Sequence, residues 1–385
     1  MTAKAEPRIR LGMVGGGQGA LIGDVHRTAA RLDDAYELCA GALSSDPDRA
    51  ASSGRELGLA EDRIYASYEA MATAEAERDD GIDVVAVVTP NHLHYPITKT
   101  FLERGFHVIC DKPFTITSEQ SRELIALAKQ RYRVLAVTYN YTGYPLVRHA
   151  RAMVARGDLG NIRVVNVEYA QDWLASPLEQ SGQKQAEWRT DPERSGAGGS
   201  VGDIGTHAFH LAGFVTGLKP VALCADLSTA VEGRRLDDNV HLMLRYANGA
   251  RGLLWASQVA VGNENNLRLR VYGDKGGLSW RQESPNELEF SRLGEVPERI
   301  TRGSPGVSIA GSRVTRIPAG HPEGYLEAFA TIYTDVAAAI RAHDAGQTLD
   351  ENVAFPTGED GLSGVELIEA AVRSSASDAA WVDLD

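Results

Sequence analysis

The chain has 385 residues, 43% hydrophobic and 24% charged, an ordinary globular mixture that is too long for one core and suits two domains. Its formal net charge of −13 repels nucleic acid and anionic membrane surfaces, and no lysine or arginine run makes a local exception, so neither partner is expected. The three cysteines, Cys39, Cys110 and Cys224, are odd in number and far apart, which points to free thiols in a reducing compartment. The opening MTAKAEPRIR lacks the apolar core of a leader, and no run of about 18 apolar residues exists, so a soluble, cytoplasmic protein is expected.

From Arg8 to Val137 short apolar runs alternate with amphipathic stretches. The runs are Ile9–Val14, Leu38–Leu43, Val84–Val88, His107–Cys110 and Val134–Val137. Between them Ile22, Val25, Ala29 and Leu32 recur at helical spacing, and Thr117-Ser118-Glu119-Gln120 offers a capping box to a helix continuing through Leu124 and Leu127. Continuous apolar strands alternating with helices predict a doubly wound parallel sheet, covered on both faces. After Tyr144 strands follow one another with little helix between: Ile162–Tyr169, Val221–Leu227, Val240–Tyr246, Gly252–Ser257 and Leu267–Tyr272, with Asn248-Gly249 as a tight hairpin turn. Leu267, Leu269 and Val271 alternate with Arg268, Arg270 and Tyr272, so one face is apolar and the other wetter. The fold class is therefore α/β: an N-terminal Rossmann domain plus an α+β domain built on a large, mostly antiparallel open sheet. The open face is a candidate subunit interface. Residues Leu293 to Gly320 predict a long loop or lid. A final helix with Leu362, Val365, Ile368 and Val372 on one stripe is expected to pack back on the first domain. The expected divisions are 1–143, 144–358 and 359–385.

The strand at Arg8–Val14 runs straight into Gly15-Gly16-Gly17-Gln18-Gly19-Ala20 and then a helix. This fits G-x-G-x-x-A: Gly15 permits the tight turn, Gly17 lets the backbone approach a pyrophosphate, and Ala20 is the small residue keeping helix and strand close. The helix N-terminus offers free N–H groups to the phosphates. An NAD-binding domain usually ends its second strand with an acid for the adenosine ribose. Here Ala42-Leu43-Ser44-Ser45-Asp46-Pro47 places Ser44 at that point, with Ser45 beside it; Arg49 would pair with a 2′-phosphate and Asp46 would repel one, so NAD and NADP both stay open.

Two further segments follow strands at the end where open α/β sheets bind ligands. One is Thr89-Pro90-Asn91-His92-Leu93-His94 and the other Asp111-Lys112-Pro113. Thr89, Pro90, Asn91, His94, Asp111 and Lys112 are expected to line the dinucleotide site, although an ordinary surface lysine at a strand end explains Lys112 equally well. In GGSVGDIGTH a helix starting near Ser200 sets Asp203 and His207 one turn apart on one face. A histidine there suits removal of a hydroxyl proton while hydride leaves the same carbon, and the carboxylate would hold a substrate hydroxyl; a capped helix with a satisfied histidine is the bland alternative. His210 extends the face, and His92-x-His94 is a second metal-like spacing, but no metal is expected because a dinucleotide supplies the redox centre.

Together these residues resemble the glucose–fructose oxidoreductase, inositol dehydrogenase and MocA family. The resemblance runs from Arg8 to the C-terminal helix and is carried by GMVGGGQGA, VVTPNHLHYP, ICDKP and GGSVGDIGTH, in order. The usual Glu-Lys-Pro is Asp111-Lys112-Pro113 here. The resemblance implies that Lys112 polarises the reacting oxygen, His207 accepts and returns the proton, and Asp203 binds substrate, with the bond before Pro113 often cis. It implies an NAD- or NADP-dependent oxidoreductase that moves hydride between a ring hydroxyl of a sugar, anhydrosugar or cyclitol and the nicotinamide. Gly320-His321-Pro322-Glu323-Gly324-Tyr325 is similar to the branch acting on anhydrosugars such as levoglucosan. A homodimer or homotetramer through the open sheet face is expected.

Tyr139, Asn140, Tyr141 and Tyr144, then Gln171, Asp172 and Trp173, then Trp188, Arg189 and His321 have the character of pocket lining, where aromatic rings stack on a sugar's apolar face. A redox-neutral NAD-dependent glycosidase, which oxidises, eliminates, hydrates and re-reduces, uses the same lysine, histidine and nicotinamide and stays open. So do a dinucleotide sensor and a metal hydrolase. Lys184, Arg189, Arg299, Arg302 and Arg313 would meet an anionic substrate such as a sulfosugar glycoside, with solvated surface charge as the simpler account.

Overall fold

The structure is a computed structural model describing residues 6–384; the opening MTAKA, read above for a leader, lies outside the described residues. The first elements are β1 Ile9–Gly15, α1 Leu21–Leu32, β2 Tyr36–Ala42, α2 Pro47–Glu56, α3 Tyr68–Ala76, β3 Val84–Val88, α4 His94–Glu103, β4 His107–Cys110, α5 Ser118–Gln130 and β5 Leu135–Val137. Next come α6 Pro145–Ala155, β6 Ile162–Ala170, α7 Lys184–Arg189, α8 Pro192–Ser195, a π-helical turn Val201–Gly205 running into α9 Thr206–Thr216, and β7 Pro220–Ser228. They are followed by β8 Asn239–Tyr246, β9 Arg251–Ser257, β10 Asn266–Gly273, β11 Gly276–Arg281, β12 Glu287–Arg292 and β13 Glu298–Thr301. The chain ends with α10 Ile309–Ser312, α11 Tyr325–Asp344, α12 Gly358–Ser375 and β14 Val382–Asp383. Among the described residues no helix is long and apolar enough to cross a membrane.

One compact unit comprises the chain up to Phe114, Glu119–Asn140 and Phe329–Gly361. Its five strands are parallel, in the order β2-β1-β3-β4-β5. All five residues of β3 are buried, as an unbroken apolar strand must be when helices cover both sheet faces. In α1 the buried residues are Gly23, His26, Ala29 and Ala30, whereas Leu32 is exposed, so the inward face is rotated from the expected Ile22, Val25, Ala29 and Leu32 stripe. Rings from α11, Phe329 and Tyr333, fill the space over His26 and draw that face inward.

The second unit comprises Thr115–Ser118, Tyr141–Ala328 and the chain from Leu362 on. Nine strands run β13-β12-β11-β10-β6-β9-β8-β7-β14; only β6 and β9 pair in parallel. The expected alternation in β10 holds: Leu267, Leu269 and Val271 are buried in a core shared with Leu146 of α6 and Leu211 of α9. The opposite face carries apolar residues in register, with Met243 opposite Leu253 and Val164 opposite Tyr272, all exposed. Strands β11 to β13 lie beyond those anticipated, and β13 and α10 occupy part of the stretch expected to be loop. Glu287 and Glu289 do alternate with buried Leu288 and Phe290, but over a run too short to stand out against its charged neighbours.

These units differ from the contiguous divisions 1–143, 144–358 and 359–385. Phe329–Gly361 groups with the parallel sheet, while the C-terminal helix, expected on the first domain, places Leu367, Ile368 and Ala371 in the core of the second unit. Each helix is apolar on its inner side, and apolarity alone does not say which core will cover it.

Candidate active site

The strand order reverses between β1 and β3, the point where open parallel sheets take ligands at their carboxyl ends. Gly15 ends β1 at φ +79°, and a Cβ there would sit 2.3 Å from the Val88 carbonyl oxygen, so the turn admits glycine alone. The expected third small residue, Ala20, is instead the extended N-cap of α1. Close approach of helix and turn falls to Gly23, where a Cβ would lie 2.2 Å from the Gly16 carbonyl oxygen. Gly17 N–H bonds the Leu43 carbonyl at 3.2 Å and Gln18 N–H bonds Ser53 Oγ at 3.1 Å, so both are engaged inside the turn. The Gln18 side chain donates to Ser52 and to Glu56, at 3.1 and 2.8 Å. Gly19 is the open flank, with no atom within 4 Å of where its Cβ would stand. Ala20 makes no side-chain cap, which leaves the start of α1 without a side-chain acceptor for its first N–H groups.

At the end of β2, Ser44 Oγ accepts the Asp46 N–H at 3.1 Å, and Asp46 turns back to cap α2 by accepting the Arg49 N–H at 2.9 Å. Ser45 and the Arg49 side chain are exposed. After β3, the Thr89 hydroxyl is buried without a hydrogen-bond partner among the described residues, beside Gly15. Pro90 is half-buried and Asn91 is buried in the next turn. The open flank at Gly19, the uncapped start of α1 and the unsatisfied Thr89 hydroxyl fit a polar, phosphate-bearing ligand.

His94 is buried, and both ring nitrogens face backbone carbonyls at 2.8 Å, Nδ1 that of Pro113 and Nε2 that of Thr89. Burial lowers its pKa below the usual histidine value. The neutral ring has a single N–H and so donates to one of these two carbonyls, standing between the segments after β3 and β4. The Lys112–Pro113 peptide is cis. Asp111 Oδ1 accepts the Lys112 backbone N–H at 2.9 Å and the Thr138 hydroxyl at 2.6 Å. Tyr139 and Asn140, which follow β5, are buried.

In the second unit Asp203 and His207 stand on one continuous helical run, which opens as a π-helical turn rather than the expected α-helix; such turns are frequent at functional sites. Its start is held by buried Asp237, which accepts the N–H groups of Gly199 and Val201 at 2.6 and 2.8 Å and the Ser200 hydroxyl at 2.7 Å. Asp203 Oδ2 accepts from Gln258 Nε2 at 2.8 Å and pairs with Arg189 Nε at 3.4 Å. Arg189 in turn lies over the Trp188 ring, 4.3 Å from its centre. His207, 6% exposed, meets Tyr141 edge-on at 4.8 Å. Tyr141 and Tyr169 share a hydrogen bond of 2.5 Å, and Asn265 Oδ1 accepts from both Tyr169 and Gln171 at 2.7 Å. Burial raises both tyrosine pKa values, so these hydroxyls remain protonated. Asp237, Gln258 and Asn265 were not identified from the sequence; they lie in turns and strand ends with no motif to mark them.

Other expected lining residues scatter. Asp172 accepts the Gly262 N–H at 2.9 Å and so braces a loop, and Trp173 is half-buried. Tyr144 lines a cleft of about 570 Å³ with Tyr325, Gln282, Glu264 and Glu283, and takes a hydrogen bond from Gln282 at 3.2 Å. His321 is exposed on a loop whose carbonyls bind Arg302. Arg302 itself is buried against Glu323 at 2.8 Å, and Arg299 pairs with Glu287 at 3.2 Å, so neither waits for an anionic substrate.

Among the described residues one trio, His107, His343 and Asp344, brings its ligand-type atoms within 4.8 Å of one another. It does not fit a metal. His107 Nδ1 accepts the Val134 N–H at 2.9 Å, which leaves the neutral ring's proton on Nε2, the atom facing Asp344. A metal-bound histidine instead donates its other N–H.

Residues 9–139 match the oxidoreductase family with an NAD-binding Rossmann fold, and residues 147–279 match the GFO/IDH/MocA C-terminal domain. An oxidoreductase from Sinorhizobium meliloti is 50% identical, with TM-score 0.90 over 98% of this chain and 100% of that one. An inositol dehydrogenase homolog from Azotobacter vinelandii, solved with NADH and myo-inositol, is 36% identical, with TM-score 0.93 over 98% of both chains. Levoglucosan dehydrogenase of Pseudarthrobacter phenanthrenivorans is 28% identical over 98% of each chain. With both of its segments matched and relatives aligned end to end, the chain belongs to the GFO/IDH/MocA family of oxidoreductases and carries an NAD-binding Rossmann domain.

Proposed function

We propose that the protein is an NAD(P)-dependent dehydrogenase that oxidises one ring hydroxyl of a sugar, anhydrosugar or cyclitol. The observation that carries this reading is the placement of Asp203 and His207 on one helical run, the carboxylate anchored by Gln258 and Arg189 and the imidazole buried against Tyr141. The relatives that act on levoglucosan or hold myo-inositol point to the same substrate class. The Gly15–Ala20 turn, Ser44, Ser45, Arg49 and Thr89 would hold the dinucleotide, which when bound supplies a carbon able to accept hydride. His207 takes the hydroxyl proton as hydride departs from the same carbon. Lys112 donates a hydrogen bond to that oxygen and stabilises the charge that develops on it. Asp203 accepts from a neighbouring hydroxyl and fixes the ring's orientation. Gln171, Trp173 and Trp188 complete the polar and stacking contacts.

The exposed apolar face of the nine-stranded sheet supports a homodimer or homotetramer formed through it. Three free cysteines are in keeping with a cytoplasmic setting.

The test is turnover with NAD+ and NADP+ against myo-inositol, levoglucosan, aldoses and aryl glycosides, followed by the absorbance of the reduced nicotinamide. Wild type accumulates reduced cofactor, and His207→Ala loses about 10²–10⁴-fold of that rate while still binding NADH. Aglycone release with no net reduction would replace this reading with a redox-neutral glycosidase. Binding without turnover would replace it with a sensor.

A further inference from the structure

Behind Lys112 runs a buried chain of polar groups with no part in the proton and hydride movements above. His26 Nε2 stands 3.9 Å from Asp111 Oδ1, the oxygen that accepts the Lys112 backbone N–H and the Thr138 hydroxyl. His26 Nδ1 lies 2.8 Å from the Tyr333 hydroxyl. The ring is fully buried, edge-on to Phe329 at 4.8 Å and to Tyr333 at 5.8 Å. Tyr36 closes the cluster by donating to the Tyr333 carbonyl at 2.8 Å.

The donors give this chain a direction. Burial lifts the Tyr333 hydroxyl well above the ordinary tyrosine range, so it keeps its proton and is able to donate to Nδ1. His26 Nε2, the nitrogen facing the Asp111 carboxylate, carries a proton. Burial would raise the Asp111 carboxyl, but His26, the Lys112 ammonium and the Thr138 hydroxyl together outweigh it and hold the group below the usual carboxylate range. A phenylalanine would fill the same aromatic pocket without burying two polar nitrogens. The imidazole adds only Nδ1 and Nε2, and both point along the chain from Tyr333 to Asp111. The gap to Asp111 exceeds a hydrogen bond by about 1 Å, roughly what one extra methylene would span.

We propose that His26, fixed by Tyr333, is a positioning residue for Lys112: it keeps the Asp111 carboxylate aimed at the Lys112 backbone N–H and so sets where the ammonium group stands. The inference rests on the reading that Lys112 acts on the reacting hydroxyl. Its first test needs no turnover. In protein labelled with 15N-lysine, with the Lys112 amide assigned through Lys112→Arg, His26→Phe should shift that resonance and weaken its exchange protection. Tyr36→Phe, in the same cluster but remote from Asp111, should leave it in place. Tyr333→Phe removes only the hydroxyl, should act in the same direction as His26→Phe, and serves if that variant does not fold.

The second test is kinetic, on whichever polyol of the panel wild type oxidises. His26→Phe and Asp111→Asn should each lower kcat about tenfold or more, with the dinucleotide KM within about twofold, and the double variant should be no worse than the poorer single. An unmoved Lys112 resonance, additive losses, or a resonance that moves with kcat unchanged would each overturn the proposal. Absence of turnover in wild type would count against the dehydrogenase reading alone, because the Lys112 amide still reports on the link from His26 through Asp111.

Discussion

Acid should weaken the dinucleotide-binding unit through one histidine on β4. His107 is buried, with Nδ1 accepting the Val134 N–H at 2.9 Å, Nε2 3.5 Å from Asp344, and its ring edge-on to His343 at 5.1 Å. Burial lowers its pKa from 6.5 to about 4; Asp344 pulls the other way, and Arg133 and His343 add to the lowering. Below 6.5 the unfolded chain therefore takes up a proton that the folded chain refuses until about 4, and stability is lost as the pH falls through that window. Linkage puts the loss at about 2 kcal/mol by about pH 5 and about 3 kcal/mol by about pH 4. Urea unfolding of wild type and His107→Asn over a pH series isolates this group. Asparagine keeps an acceptor for the Val134 N–H but does not titrate, and His94 and His149, whose pKa values are also lowered, cancel in the difference. Wild type should be the more stable at neutral pH, because the variant loses the ring contact, and the gap should narrow by about 2 kcal/mol by about pH 5. A gap constant within about 0.5 kcal/mol across the series would refute the buried-neutral account of His107.

Three further outcomes are expected. Arg302→Met leaves the Glu323 carboxylate buried without its partner and should cost about 3–5 kcal/mol in urea unfolding; a loss below about 1 kcal/mol would mean that water reaches the site. Gly23→Ala drives a Cβ into the Gly16 carbonyl, and should cost about 1–3 kcal/mol and weaken NADH binding in a fluorescence titration. Unchanged affinity would show that the turn tolerates a wider helix. Leu253→Glu places a charge on the exposed apolar face and should shift sedimentation from oligomer to monomer, whereas a wild-type monomer at micromolar concentration would remove that face as an interface.

Much of the architecture is written locally. An apolar run such as Val84–Val88 bounded by turn residues is a buried strand whatever surrounds it, and Asn248-Gly249 makes the turn joining β8 to β9 through the backbone freedom of its own glycine. Gly15 declares a tight turn after a strand, and the spacing of Asp203 and His207 already places both on one helical run. These features depend on periodicity and turn chemistry within about ten residues, and a sequence carries such information directly.

Partnership is different, because a side chain's hydrogen bonds depend on what the fold brings to it. His26 looks like one more position on an amphipathic helix until Tyr333, 307 residues away, reaches its Nδ1. Gln258, 55 residues beyond Asp203, anchors that carboxylate without any motif of its own. The same packing moved the close-approach role from Ala20 to Gly23, engaged Arg302 with Glu323 rather than with ligand, and assigned the helices α11 and α12 to cores that their apolar stripes could not name. The sequence by itself determined the strongly patterned elements, the parallel strands β1 to β5 and the strands β6 to β10, and their order. Only the tertiary structure decided which polar groups meet, because burial leaves each of them dependent on a partner supplied from elsewhere in the chain.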